Sequence, residues 1–303
     1  MVNWLVRPEA ARNAKYGYGL RMAFSDDYGR SWKQVFEAGD NNTADYTGFV
    51  GFSAGDQGFH AAYLAPLAQG EAQREAKHVK TLQFAEFTPD GESISDQRLD
   101  SDVCTCCPLA TAQTSTGPVV VYRDHEPNEI RDIAIVRRVD GKWAKPRPVH
   151  RDGWKINGCP GNGAAIRAAG PRVAVAWYTA ARSEPRVFLA LSHDAGETFA
   201  EPVGIDIGSP VGWADVAILK QGRTAVSWLE KSTDEEGVGN VMLRIVGRDG
   251  RVEKPTVIAR ASAGRATGIP QMVSIDDRLV FAWRNEDQVQ TAVLKEQSDG
   301  LYR

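Results

Sequence analysis

A short apolar run ending in an aromatic residue returns in phase along this chain, at Trp4, Tyr63, Tyr122, Trp177, Trp228 and Trp283, in steps of 59, 59, 55, 51 and 55 residues. Each aromatic is followed, 16 to 27 residues later, by an aspartate in a turn-forming stretch: Asp27, Asp90, Asp140, Asp194, Asp249 and Asp299. Two markers sharing one period mean stacked copies of a single supersecondary unit. A period near 50 with several short strands per copy predicts a β-propeller. The fold expected is therefore all-β, a six-bladed propeller of four-stranded antiparallel blades, with strands A to D numbered from the axis outward and one domain spanning residues 1–303. In the fourth copy the strands read GAAIRAAG, VAVAWYTA, VFLALS and a hairpin exit around FAEPVGI, separated by Gly, Pro and Asp turn signals. No segment keeps a 3.6-residue apolar period, so helix is expected to be nearly absent. Residues 65–78, APLAQGEAQREAKH, read either as a helical turn or as a solvated loop between strands B and C.

The net charge is −3 with acidic and basic residues interspersed, which leaves no nucleic-acid footprint. No apolar run is long enough to span a bilayer, and the chain opens without a signal peptide. It opens in mid-repeat: Trp4 aligns with Trp228 as the end of a strand B, so the first blade is expected to be incomplete, lacking strand A. Either the start is trimmed or the C-terminal residues help to close the ring. A trimmed start leaves a secreted or periplasmic location open. Oligomeric state is not legible in the sequence.

Two copies carry a fuller turn motif. Residues 25–32 read SDDYGRSW and residues 192–199 read SHDAGETF, both fitting S-x-D-x-G-x-[ST]-[WF]. Ser and Asp oxygens can accept hydrogen bonds from turn amides, the glycine tolerates positive φ, and the aromatic can pack between neighbouring sheets. Shorter versions stand at the corresponding turns as TPDGESI, RVDGKW and GRDGRV. Here the chain resembles the Asp-box proteins (bacterial neuraminidase repeats), whose best-known members are the six-bladed sialidases, and the resemblance covers essentially its whole length. It implies that the Asp-box turns lie on the face opposite the active site.

The four cysteines are the most specific local anomaly. Cys104, Cys106 and Cys107 form a C-x-C-C cluster, and Cys159 lies one repeat later. Aligning the copies puts Cys107-Pro108 and Cys159-Pro160 at the same place, the start of strand A, so at least one sulfur of the cluster is expected beside Cys159. A disulfide between blades, two disulfides, and a thiolate site for Zn²⁺ or Cu(I) built from Cys104, Cys106, Cys107 and Cys159 all fit this placement. The C-x-C-C spacing departs from the C-x₂-C of common zinc sites. Apart from that metal alternative, no cofactor is indicated.

In a propeller, residues just after the strand-B aromatic and just before strand A line the ligand funnel. Arg7, Arg123 and Arg284 then come from three copies at equivalent depth, joined by Asp124, His125, Tyr178, Glu230 and Asp102. Converging guanidinium groups suit a carboxylate, which each can grip in bidentate fashion. The sialidase resemblance implies an arginine triad on the carboxylate of an acidic sugar, a Tyr activated by a Glu as nucleophile, and an Asp as acid/base. Carried over, Tyr178 with Glu230 stand for the pair, Asp124 or Asp102 for the acid, and Arg7, Arg123, Arg284 and His125 for substrate binding. The family's Arg-Ile-Pro signature is not matched, because Gly268-Ile269-Pro270 has Gly in place of Arg. Against these roles, Arg123 with Asp132 or Asp124 with Arg131 also reads as a salt-bridged strand pair. Three functions remain open from sequence: an exo-glycosidase of sialidase type acting on an acidic glycan, a non-catalytic glycan- or protein-binding propeller, and a thiol or metal protein.

Overall fold

Short runs of Val, Ile, Ala and aromatic residues bounded by Gly, Asp and Pro dictate strands too brief to bury anything alone, so each must pair and stack. In the computed structural model, which describes residues 1–7, 9, 17–39, 45–55, 58–67, 80–264, 267–285, 287–297, 300 and 302, they form antiparallel meanders with no α-helix among the described residues. The chain divides into two compact units, one of Met1–Pro148 with Lys155–Gly161 and one of Val149–Trp154 with Asn162–Arg303.

The first unit holds three sheets. Strands β1 (Val2–Val6), β2 (Gly19–Phe24) and β3 (Lys33–Ala38) make the first; β4 (Val50–Gly55), β5 (Gly58–Pro66), β6 (Lys80–Phe87) and β7 (Ser93–Val103) the second. The third contains β8 (Ala110–Gln113), β9 (Pro118–Arg123), β10 (Ile133–Val139), β11 (Lys142–Trp143) and β12 (Arg147–Pro148). The second unit repeats the plan with β13 (Ala164–Ala169), β14 (Arg172–Thr179), β15 (Arg186–Ser192) and β16 (Val203–Gly204), then β17 (Pro210–Ile218), β18 (Thr224–Lys231), β19 (Val238–Val246) and β20 (Thr256–Ser262). Its last sheet is β21 (Gln271–Ile275), β22 (Arg278–Asn285) and β23 (Gln288–Lys295). Each sequence copy thus becomes one sheet; among the described residues the first and the last have three strands and the third has five, where four per copy, and a short first one, were expected.

Within each unit successive sheets pack face to face. Leu20, Met22, Tyr63, Ala85 and Phe87 fill the layer between the first two sheets, and Leu82, Phe84, Val120, Tyr122 and Val136 the next. In the second unit Val187, Leu189, Val226, Trp228 and Met242 do the same, followed by Leu229, Leu243, Phe281 and Trp283. Strands β9 and β18 are buried on both faces, which is why they read as continuous apolar runs instead of alternating ones. Tyr63, Tyr122, Trp177, Trp228 and Trp283 are all buried. Trp4 departs from the pattern at 40% exposure. Its strand β1 is the edge of its sheet, whereas each of the other five aromatics sits on a strand flanked by partners on both sides. Of the stretch 65–78, Ala65 and Pro66 end β5, while residues 68–78 lie outside the described residues, as do Asp299 and His78.

Both full turn motifs adopt one geometry at the hairpins that follow β2 and β15. Asp27 Oδ1 accepts from Ser25 Oγ at 2.7 Å and from the Ser31 amide at 2.9 Å, and Ser25 Oγ accepts from the Gly29 amide at 2.7 Å. The second copy reproduces this with Ser192 to Asp194 at 2.7 Å, the Thr198 amide at 2.8 Å and the Gly196 amide at 2.9 Å. Gly29 and Gly196 sit at φ 83° and 78°, a region where a side chain would be strained. At Asp27 the bonds from the Ser31 hydroxyl and amide lower the carboxyl to about 2. Burial works against ionisation at Asp194, but bonds from Thr198 and Ser192 outweigh it and hold the carboxyl below its ordinary range. Asp194→Ala is expected to cost about 1–2 kcal/mol, after discounting for solvent screening. Because the folded pKa is depressed, that contribution is present above pH 3.8 and fades as pH falls below it. Melting curves of both proteins at pH 7 and pH 3 check this: the gap between them should narrow on acidification.

Candidate functional site

At the end of β9 the backbone of Asp124 bridges to Val103, the last residue of β7. That single link brings the carboxylates of two sheets together. Asp100 and Asp102 stand two apart near the end of β7, where the register against β6 shifts between Asp100 and Val103, and Asp124-His125 follow β9 directly. The Tyr122 hydroxyl donates to Asp100 Oδ2 at 2.5 Å. His125 Nδ1 lies 2.7 Å from Asp102 Oδ1 and its Nε2 lies 3.3 Å from Glu129 Oε2. The turn Pro127–Glu129 carries Asn128 and Glu129 at φ 66° and 62°, a left-handed pair that sets the Glu129 carboxylate between His125 and Arg131. Burial, then the negative charge of Asp100, with lesser contributions from Glu126 and Asp102, push the Asp124 carboxyl up to about 7 despite a 2.8 Å hydrogen bond from the His125 amide.

The same network continues into the cysteines. Arg131 donates from Nη2 to Glu129 at 2.8 Å, from Nε to the Ile156 carbonyl at 3.0 Å, and from Nη1 to Cys104 Sγ at 3.4 Å. The Cys104 amide bonds to the Arg123 carbonyl at 3.1 Å, and Arg123 Nη1 donates to the Arg131 carbonyl at 2.6 Å. Arg123 is therefore not a rim residue: it is 1% exposed. Arg131 takes Glu129, not Asp124, as its carboxylate partner.

Cys106 and Cys159 form a disulfide with a Cα separation of 6.0 Å. It ties Lys155–Gly161 into the first unit, together with the Ile156 amide bonded to the Glu129 carbonyl at 2.9 Å. Cys104 and Cys107 are buried thiols with their Sγ atoms 3.4 Å apart. The four-thiolate metal arrangement left open by the sequence is not formed, because Cys106 and Cys159 are bonded to each other. The repeat alignment placed at least one sulfur of the cluster beside Cys159 without choosing among the three, and that sulfur is Cys106. One signal was overlooked: skipping Cys106, Cys104 and Cys107 are themselves a C-x₂-C pair. The Cys107 hydrogen bond, followed against burial by the Cys106 amide and Arg131, favours the Cys104 thiolate and holds this thiol well below the ordinary range.

The remaining sequence candidates have contacts of their own. Arg7, in the first unit, stacks over the Tyr18 ring at 5.3 Å. In the second unit Tyr178 packs edge-to-face on Trp154 at 5.6 Å, and Arg284, exposed at the end of β22, lies 3.8 Å from Asp287. Glu230 is 1% exposed and its carboxylate accepts from Trp228 Nε1 and from the Ser209 amide, both at 2.5 Å. It serves there as an internal cap on the loop leading into β17. Glu230→Ala removes the acceptor of the buried Trp228 indole N–H and of the Ser209 amide and is expected to destabilise by about 2 kcal/mol, with Glu230→Gln recovering part of the loss through its amide oxygen. Urea titrations of the two variants should rank them in that order.

Asp100 and Glu129 are members of the network that the sequence reading missed. Asp100 lies two residues before Asp102 in the sequence, which was the available signal; nothing local announces Glu129.

No known family matches the sequence, and no curated protein does either. Among solved structures, puromycin hydrolase aligns with 85% of this chain at 13% identity and a TM-score of 0.45; this chain spans 39% of that one. The α-L-arabinofuranosidase of Podospora anserina, in complex with cellotriose, aligns with 81% of this chain and 88% of its own at 10% identity and 0.42. The Aleuria aurantia lectin, in complex with alpha-methyl-L-fucoside, aligns with 100% of this chain and 92% of its own at 13% identity and 0.49. These likenesses are too distant to carry a residue's role across. No helix among the described residues is long and apolar enough to cross a membrane.

Proposed function

We propose that this chain is a glycan-directed, sialidase-like six-bladed propeller whose hydrolytic proton donor is Asp124. One observation carries the reading. Burial and Asp100 push the Asp124 carboxyl up to about 7, and a carboxyl that keeps its proton near neutral pH beside other carboxyl groups suits general-acid cleavage of a glycosidic bond. The repeat and the two identical Asp turns support the scaffold. His125, held between Asp102 and Glu129, orients the carboxylates around the acid.

The roles that the resemblance gives to Tyr178 and Glu230 have less support, because the Glu230 carboxylate is already engaged by Trp228 and Ser209. Arg123 as a substrate ligand is likewise opposed by its burial. An acidic sugar therefore rests on the resemblance alone, and the test must include neutral glycosides. Purified protein is offered aryl glycosides of neutral sugars, uronic acids and sialic acid, and in parallel a glycan array. Turnover whose rate falls as pH rises through about 7 is the expected result. Binding without turnover would favour the non-catalytic module, and neither binding nor turnover would remove the glycan reading.

A further inference from the structure

Three sulfurs, those of Cys104, Cys106 and Cys107, lie within 4.8 Å of one another. Two are thiols in mutual contact at 3.4 Å, and the third is half of a disulfide whose other half, Cys159, is exposed. A dithiol in reach of a disulfide is the complete set of reactants for thiol–disulfide exchange. We infer that this loop is a redox centre that passes two electrons between the buried Cys104–Cys107 pair and the surface Cys106–Cys159 disulfide, with thiols and disulfides of the solvent as its outer partners.

The chemistry balances without any further reagent. Cys104 thiolate attacks Cys106 Sγ; a Cys104–Cys106 bond forms as Cys106–Cys159 breaks, and Cys159 leaves as a thiolate that takes a proton from water. Cys107, its own proton given to water, then attacks Cys104 Sγ, forming Cys104–Cys107 and releasing Cys106 as a thiolate that is protonated in turn. One S–S bond exists before and after; the outer pair has gained two protons, one balanced by the proton that Cys107 gave to water and one drawn from water, because Cys104 began as a thiolate. An external disulfide then reoxidises Cys106 and Cys159 and is itself reduced to two thiols. An external dithiol returns the buried pair by the reverse route.

The surroundings fit the first step. The attacking sulfur must be a thiolate, and Cys104 is the one that receives both the Cys107 hydrogen bond and the Arg131 N–H. The leaving sulfur must reach water, and Cys159 is the exposed member of the disulfide. Burial of Cys104 and Cys107 keeps external disulfides from reacting with them directly, so electrons enter and leave through Cys106 and Cys159. This site is independent of the glycan reading, although Arg131 and Glu129 connect it to the carboxylates.

Whole protein is equilibrated in glutathione buffers of graded ratio and quenched in acid, which halts exchange by protonating thiolates. Free thiols are alkylated and the linkages mapped by mass spectrometry. Protein carrying one disulfide is expected to contain both the Cys106–Cys159 and the Cys104–Cys107 linkage. Cys107→Ser should stall at Cys104–Cys106 with Cys159 newly alkylated, and Cys104→Ser should keep Cys106–Cys159 alone. Arg131→Met retains all four cysteines, so it serves if either serine variant fails to fold. Its exchange rate should begin to rise at higher pH than that of the parent, whose attacking thiol is already ionised at neutral pH. Cys106–Cys159 as the sole linkage at every glutathione ratio would overturn the inference. So would four reduced sulfurs holding a stoichiometric metal ion, or an unchanged rate profile in Arg131→Met.

Discussion

Replacing Asp124 by Asn is expected to lower glycoside turnover by roughly 10²–10⁴-fold, the usual contribution of a positioned acid, while making the protein more stable at alkaline pH. The two effects have one cause. In the fold the Asp124 carboxyl titrates at about 7, against an ordinary value of 3.8. A pKa raised by folding means that the folded state binds the proton more tightly, so stability is fully present below pH 3.8 and is lost as pH rises through about 7. The difference bounds the loss at about 4 kcal/mol, reduced by solvent screening because the side chain is only partly buried. Asn carries no charge at any of these pH values. Melting of parent and Asp124→Asn at pH 5 and pH 8 should therefore show a gap in favour of the variant that opens with pH. Equal gaps at both values would show that Asp124 is not held protonated, and the acid role would go with it.

Removing the Cys106–Cys159 disulfide, by Cys159→Ser, should produce a comparably large loss. The bridge spans 53 residues of sequence. Closing a loop of that length in the unfolded chain restricts it by an entropy worth about 4 kcal/mol at 25 °C, and opening it gives that freedom back to the unfolded state. In the folded state the loss should be local. Lys155–Gly161 would keep its backbone bonds to Ile130 and Glu129 and the Arg131 bond to the Ile156 carbonyl. Amide exchange at Ile156 should accelerate more than exchange in β9 or β10, and denaturant midpoints should fall. A midpoint unchanged by Cys159→Ser would mean that the bridge is not closed in the protein.

What the chain encodes locally was legible in it. The six sheets, the absence of α-helix among the described residues and the hydrogen-bonded geometry at Asp27 and Asp194 all follow from residues close to one another in sequence, where period, turn chemistry and β propensity act directly. The proximity of Cys159 to the cysteine cluster also followed from repeat alignment, because equivalent positions of adjacent copies are neighbours. Partner choice within that neighbourhood was decided by tertiary structure. Of the three clustered cysteines Cys106 meets Cys159, Arg131 turns to Glu129 instead of Asp124, Arg123 is buried beneath the site it was expected to line, and Glu230 caps a loop through Trp228 and Ser209. Each of these outcomes depends on where a side chain points to within an ångström or two, which the pleat, twist and stacking of whole sheets set and no local pattern records. The pKa of Asp124 is of the same kind: its sequence neighbours His125 and Glu126 contribute, but burial and Asp100, brought in from another sheet, dominate.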